Sequence, residues 1–141
     1  MKLFISIAVA GCLLMLGGEP CLAKEKKATT LREAFKGKFY IGTALNRAQY
    51  MGYDTKADEV VKKQFSAIVA ENCMKSENLQ PQEGKFFFDE ADKFVAYGEK
   101  NKMFVTGHTL IWHSQTPRWL FVDKDGKEVS REVLIERMRN H

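Results

Sequence analysis

An α/β fold with parallel strands is what this 141-residue sequence predicts, and three observations carry that prediction. Short apolar, β-prone runs alternate with segments of helical periodicity. Those runs begin near positions 39, 68 and 103, close to evenly spaced. The residues able to do chemistry trail the apolar runs rather than the helices. Such alternation implies parallel strands joined by right-handed crossovers. Both a doubly wound open sheet and a closed (β/α)8 barrel satisfy it. The nucleotide-binding form of the open sheet is disfavoured, because Gly42-Thr43-Ala44-Leu45-Asn46 lacks the later glycines of a phosphate-cradling turn. A barrel takes eight units and about 250 residues, whereas this sequence supplies about three units. Three strands alone would leave an open edge and an incomplete core, so a piece of a larger protein is expected.

The elements follow from local signals. Lys2, the apolar stretch Leu3 to Leu16, then Gly17, Gly18, Pro20 and Cys21-Leu22-Ala23 have the layout of a secretory signal peptide cut after Ala23. The apolar stretch is shorter than the ~20 residues of a spanning helix, so no stable membrane span is expected. Val9-Ala10-Gly11-Cys12 resembles a lipoprotein cleavage box, but cleavage there would leave Leu13 to Leu16 exposed. The expectation is a leader over 1–23, a domain over 24–141, and a secreted or periplasmic location, with a cell-surface lipoprotein as the variant. In the domain, Thr30 and Glu33 have capping-box spacing and Gly37 is a stop, predicting a helix over 30–36. Phe39 to Ala44 predicts a strand. Asp54 or Thr55 opens a helix whose apolar face carries Ala57, Val60, Val61, Phe65, Ile68 and Val69. Part of the apolar piece from Ile68 to Met74 is expected as strand, followed by a loop at Pro81 and Gly84. Asp89 opens a helix with Ala91, Phe94, Val95 and Gly98 inward and Asn101 near its end. Met103 to Gly107 is the third strand, and Ser130 starts a last helix with Val133, Leu134 and Met138.

Composition excludes several function classes. The formal charge of +4 is spread among acids, apart from the cluster Lys24 to Lys27, so there is no stripe for nucleic acid. Cys12 and Cys21 leave with the leader, so Cys73 can form no internal disulfide and reads as a small core residue. His108 and His113, five apart, match no compact metal pair; neither a metal nor another cofactor is expected.

The remaining polar residues have a pattern. Asn46 follows the first strand, Glu71, Asn72 and Lys75 the second, and His108, Trp112, His113 and Gln115 the third. Parallel α/β folds open every carboxyl strand end onto one face, where sites form. Amides, a carboxylate, a lysine, histidines and an indole together suit a sugar, which needs directional hydrogen bonds to hydroxyls and a flat apolar surface for its C–H face. Each also has a plainer reading: Glu71 with Lys75 as an ion pair, His108 and the tryptophans as core.

Two runs go further. Glu71-Asn72-Cys73-Met74-Lys75-Ser76-Glu77 resembles the family 10 glycoside hydrolase segment Glu-Asn-x-Met-Lys-Trp-Glu, and Gly107-His108-Thr109-Leu110-Ile111-Trp112-His113-Ser114-Gln115 resembles that family's Gly-His-Thr-Leu-Val-Trp-His-Ser-Gln run. Phe39 to Ala44 is similar to its first strand, and the resemblance spans about residues 30 to 141. It implies the N-terminal portion, about three βα units, of a TIM (β/α)8 barrel in an endo-1,4-β-xylanase that cleaves xylan internally with retention of configuration. It also implies that Glu71, Asn72 and Lys75 bind xylose hydroxyls on the glycone side. His108, Trp112 and Gln115 would then shape the site around the sugar next to the scissile bond, with Asn46 as a further substrate-binding position. The partner so implied is xylan or a xylo-oligosaccharide. The family's two catalytic carboxylates follow its fourth and seventh strands, so both are expected beyond residue 141 and this stretch alone is expected to be inactive. Ser76 departs from the pattern, standing where the family usually has Trp. A non-catalytic carbohydrate-binding protein, or a truncated product that does not fold, is the alternative expectation.

Overall fold

The computed structural model describes residues 29–141; the expected leader over 1–23 lies outside the described residues. Three strands, β1 (Gly42–Leu45), β2 (Ala67–Ala70) and β3 (Phe104–Thr106), form one parallel sheet in the order β1-β2-β3. Gly42 pairs with Ala67 and Leu45 with Ala70; Ala67 pairs with Phe104 and Val69 with Thr106. Each strand is followed by helix: α2 (Arg47–Tyr50) and α3 (Thr55–Gln64) after β1, α4 (Ser76–Leu79) and α5 (Asp89–Lys100) after β2, and α6 (Arg131–Asn140) after β3. A short α1 (Leu31–Ala34) precedes them, and a 3-10 turn covers Arg118–Leu120.

The predicted caps are in place. Thr30, Asp54 and Ser130 each accept a hydrogen bond from the backbone N–H three residues on, satisfying a donor that an uncapped helix start leaves open. Two boundaries differ from expectation. The first strand starts at Gly42 rather than Phe39, because its partner strand starts at Ala67; Tyr40 instead stacks on Phe104, 5.0 Å between ring centroids. The apolar stripe expected to run through Val69 on one helix stops at Gln64. Phe65 turns extended, and Ile68 and Val69 belong to β2, where both neighbouring strands satisfy the backbone and the branched side chains suit the pleat. Val60 is exposed and Val61 alone of that pair faces inward.

The core lies between the sheet and α3 and α5: Leu45, Tyr50, Val61, Ile68, Ala70, Phe94 and Met103 form one cluster, with Cys73 packed at its edge. Burial of each large member stabilises by about 1.5–3 kcal/mol. Gly98 lets α5 lie directly on the sheet, because a Cβ there would stand 2.3 Å from Val105 Cγ2 and 3.2 Å from Ile68 Cδ1. At the chain's end Arg137 donates to Glu83 through Nε and Nη2 at 2.8 and 3.0 Å and to the Val122 carbonyl at 3.0 Å, docking α6.

Candidate functional site

All three strands end on one face, and the chain there is short and tightly hydrogen-bonded. Past β2, the Glu71 N–H donates to the Leu45 carbonyl at 3.0 Å, and the Lys75 N–H closes a turn onto the Asn72 carbonyl at 2.9 Å. The segment from Met74 to Glu77 then meets the loop after β3 at three points. Thr109 N–H donates to the Met74 carbonyl (3.2 Å), Ser76 Oγ to the Leu110 carbonyl (2.5 Å), and Glu77 N–H to the Gln115 carbonyl (3.1 Å). Gln115 adopts a left-handed backbone (φ 52°), uncommon for its residue type, and both ends of it are held. The Thr116 hydroxyl bonds across the same loop to the Trp112 carbonyl.

These contacts set the side chains. Lys75 is 6% exposed, and its Nζ lies 3.3 Å from His108 Nδ1 and 4.3 Å from the Trp112 ring centroid. An ammonium only donates, so Nδ1 accepts and the His108 ring proton sits on Nε2. The His108 and Trp112 rings meet edge to face at 6.3 Å. No carboxylate reaches ion-pair distance of Lys75 among the described residues. Gln115 Nε2 donates to Asn72 Oδ1 at 3.0 Å, bridging the loops after β2 and β3. Glu71 stands exposed at the end of β2, so the alternative of a Glu71–Lys75 ion pair does not hold. Lys75, His108 and Trp112 therefore converge, and Asn72 and Gln115 join beside them. Asn46 is engaged differently: its Oδ1 accepts from Gln49 N–H while Gln49 Oε1 accepts from Asn46 N–H, a reciprocal cap on α2.

A cavity of about 480 Å3 lies between the loops after β1 and β2, lined among others by Asn46, Asn72, Asn78 and Phe87. At its edge Glu90 accepts from Lys93 (2.8 Å), Arg47 (2.9 Å) and Tyr50 (3.0 Å), and the Lys93 and Arg47 bonds hold its carboxyl down at about 2. Burial pushes the Tyr50 phenol and the Cys73 thiol beneath it up. Sequence reasoning passed over this pocket, although three consecutive phenylalanines in a loop, Phe86 to Phe88, were a visible signal. A larger cavity of about 710 Å3 opens at the opposite, amino ends of the strands, around Arg32, Tyr40, Ser66 and Lys102, where none of the predicted residues reaches.

Comparison with known proteins fits this arrangement. The model of glycosyl hydrolase family 10 matches residues 30–141. Endo-1,4-beta-xylanase A of Xylanibacter ruminicola is 44% identical over 122 residues, which cover 86% of this chain and 33% of that protein. The crystal structure of TsXylA, an intracellular xylanase from Thermoanaerobacterium saccharolyticum, is 44% identical with a TM-score of 0.72, covering 78% of this chain and 34% of that one. A mutant structure in complex with xylotriose is 36% identical with a TM-score of 0.71, covering 80% and 33%. The chain thus spans about a third of the length of the relatives it matches. Two motif runs on adjacent strand ends, barrel relatives aligned along the sheet that holds them, and a family model reaching from Thr30 to His141 together establish that this chain belongs to glycosyl hydrolase family 10.

Proposed function

We propose that the chain supplies the glycone-side sugar-binding portion of a secreted endo-1,4-β-xylanase that cleaves internal β-1,4-xylosidic bonds with retention. One observation carries the reading: a buried lysine ammonium with no carboxylate partner among the described residues is held against an imidazole and an indole at the carboxyl ends of parallel strands. A buried cation that the fold leaves without a counter-ion costs stability. Such a cost is accounted for where the ammonium has hydroxyls to donate to. In this reading Lys75, Glu71 and Asn72 bind xylose hydroxyls, with donors on Lys75, acceptors on Glu71 and both on Asn72. Trp112 gives a rigid wall to the sugar next to the scissile bond, His108 offers its Nε2–H, and Gln115 fixes Asn72. Asn46 contributes its free Nδ2 from the cap of α2.

Retention requires two carboxyl groups about 5 Å apart across the anomeric carbon, one acid/base and one nucleophile. Glu71 is the one carboxylate among the proposed contacts, and its role here is binding. Residues 24–141 alone are therefore inactive, and a full-length polypeptide, meaning one that continues through both carboxyl groups, is active. The test is reducing-sugar release from xylan by each, with the anomer of the first product followed by proton NMR. Release by residues 24–141 above a blank overturns the division of labour, and an inverted first product overturns retention. Export is tested by the N-terminal residue of protein recovered from the native host; a chain starting at Met1 in the cytoplasm refutes it.

A further inference from the structure

We infer that Thr116 is a positioning residue for the Trp112 indole: its hydroxyl clasps both polar groups of the Trp112 backbone and so sets the wall against which the sugar next to the scissile bond rests. The inference rests on the xylanase reading and adds to it a residue that acts through another.

The loop after β3 gives Trp112 little else to hold it. Trp112 lies outside the strands and helices, and among the described residues its backbone hydrogen-bonds to one group only, the Thr116 hydroxyl. That hydroxyl accepts from the Trp112 N–H at 3.3 Å and donates to the Trp112 carbonyl. A hydroxyl carries one proton and two lone pairs, so it does both at once, and a methyl in its place does neither. Branching at Cβ restricts rotation of the side chain, which presets where the oxygen stands.

Thr116 serves as an anchor because the chain is fixed on both sides of it. Before it, the Gln115 carbonyl accepts from the Glu77 N–H at 3.1 Å. After it, Pro117 confines the Thr116 backbone to extended conformations and leads into the 3-10 turn. That turn is seated firmly: Leu120 is almost fully buried, and Trp119 Nε1 donates to the carbonyl of the buried Gln80 at 2.9 Å. Placement therefore passes from the turn through Pro117 and Thr116 to Trp112. The indole itself meets only rings and a cation: His108 at 6.3 Å, His113 at 4.8 Å and Lys75 Nζ at 4.3 Å. Ring contacts form over centroid separations of roughly 4.5–7 Å, too broad a range to locate an indole. Backbone hydrogen bonds are far narrower in distance and angle, so the Thr116 clasp decides where the ring stands.

The experiment is a double-mutant cycle in the full-length polypeptide, with kcat/KM measured on xylotetraose. Thr116→Val keeps the branched shape and removes the hydroxyl; Thr116→Ser keeps the hydroxyl. Thr116→Val lowers kcat/KM about fivefold to tenfold, the scale of one or two intramolecular hydrogen bonds, and Thr116→Ser restores most of it. In a Trp112→Ala background Thr116→Val has less than about a twofold effect, because the group it positions is gone. Acrylamide quenching of the Trp112 fluorescence, taken by difference from Trp112→Phe, rises in Thr116→Val. An equal loss in both backgrounds, a serine variant as impaired as the valine variant, unchanged quenching, or loss of the melting transition in Thr116→Val overturns the inference and leaves the xylanase reading intact. If the wild type releases no sugar from xylotetraose, the xylanase reading falls and the inference falls with it.

Discussion

Lys75→Met in the full-length polypeptide separates the charge of this side chain from its packing. Methionine keeps the unbranched apolar stem that Lys75 buries and removes only the ammonium. Among the described residues, that ammonium makes one hydrogen bond, to His108 at 3.3 Å, and one ring contact, to Trp112 at 4.3 Å. Loss of the ring contact costs about 0.5–2 kcal/mol. Against it stands relief of a desolvated cation, which in real proteins carries a penalty of several kcal/mol per ion, reduced here by the contacts just named. The two oppose each other, so the melting temperature stays level or rises. Catalysis behaves differently. A charge-assisted hydrogen bond to a sugar hydroxyl contributes about 1.5–3 kcal/mol, equivalent to roughly 10- to 140-fold in kcat/KM. Initial rates on xylotetraose and scanning calorimetry on the same preparations give both numbers. A lowered melting temperature with kcat/KM unchanged would show that Lys75 holds the fold and not the substrate.

Other substitutions probe the frame around that site. Gly98→Ala places a methyl against Val105 and Ile68; overpacking costs about 1–3 kcal/mol and helix propensity returns about 1. Denaturant midpoints should therefore fall in Gly98→Ala and partly recover in Gly98→Ala/Val105→Ala, where the clashing Cγ2 is gone. Ser76→Ala leaves the Leu110 carbonyl without its donor at a site 2% exposed, a loss of about 1–3 kcal/mol. Its urea midpoint drops, and kcat/KM drops with it because the loop bearing His108 and Trp112 is no longer pinned. Glu90 is held at about 2, below its ordinary 4.5, first by Lys93 and then by Arg47. A depressed folded value stabilises above the unfolded value and is lost as pH falls through the folded one. The stability gap between wild type and Glu90→Gln is therefore constant above about pH 5 and closes between about 4.5 and 2, and added salt narrows it.

The sequence made the alternating elements legible because capping residues and apolar spacing are local. Thr30, Asp54, Asp89 and Ser130 all mark helix starts to within a residue. The boundary at Gln64 was not legible. Val61, Phe65 and Ile68 keep helical spacing across it, and what ends the helix is the availability of β1 and β3 as partners for Ile68, a long-range fact. The short helices α2 and α4 were missed because four residues carry no period: α1, equally short, was marked by its capping box, α4 has no side-chain cap, and the Asn46–Gln49 capping box of α2 was a local signal that went unread. The site divides along the same line. Residues that follow a strand directly, such as Lys75 and His108, could be assigned to one face from topology alone. The pocket at Phe87 could not, because it forms only when the loop before α5 folds back beside Asn46, two elements separated by more than a helix and a strand.

Ser76 shows how a departure from a family pattern acquires a physical meaning. By resemblance alone, a serine in place of tryptophan removes a large apolar side chain and leaves local packing unexplained. In the fold the position is almost fully buried, and the hydroxyl bonds to the Leu110 carbonyl at 2.5 Å. The loop after β3 therefore reaches the segment after β2 through a hydrogen bond here, between the Thr109–Met74 and Glu77–Gln115 backbone bonds. The serine hydroxyl thus adds a third bond to a contact that two backbone bonds already make. That approach brings His108 and Trp112 onto the Lys75 ammonium, so the position that departs from the pattern lies within the contact that assembles the site.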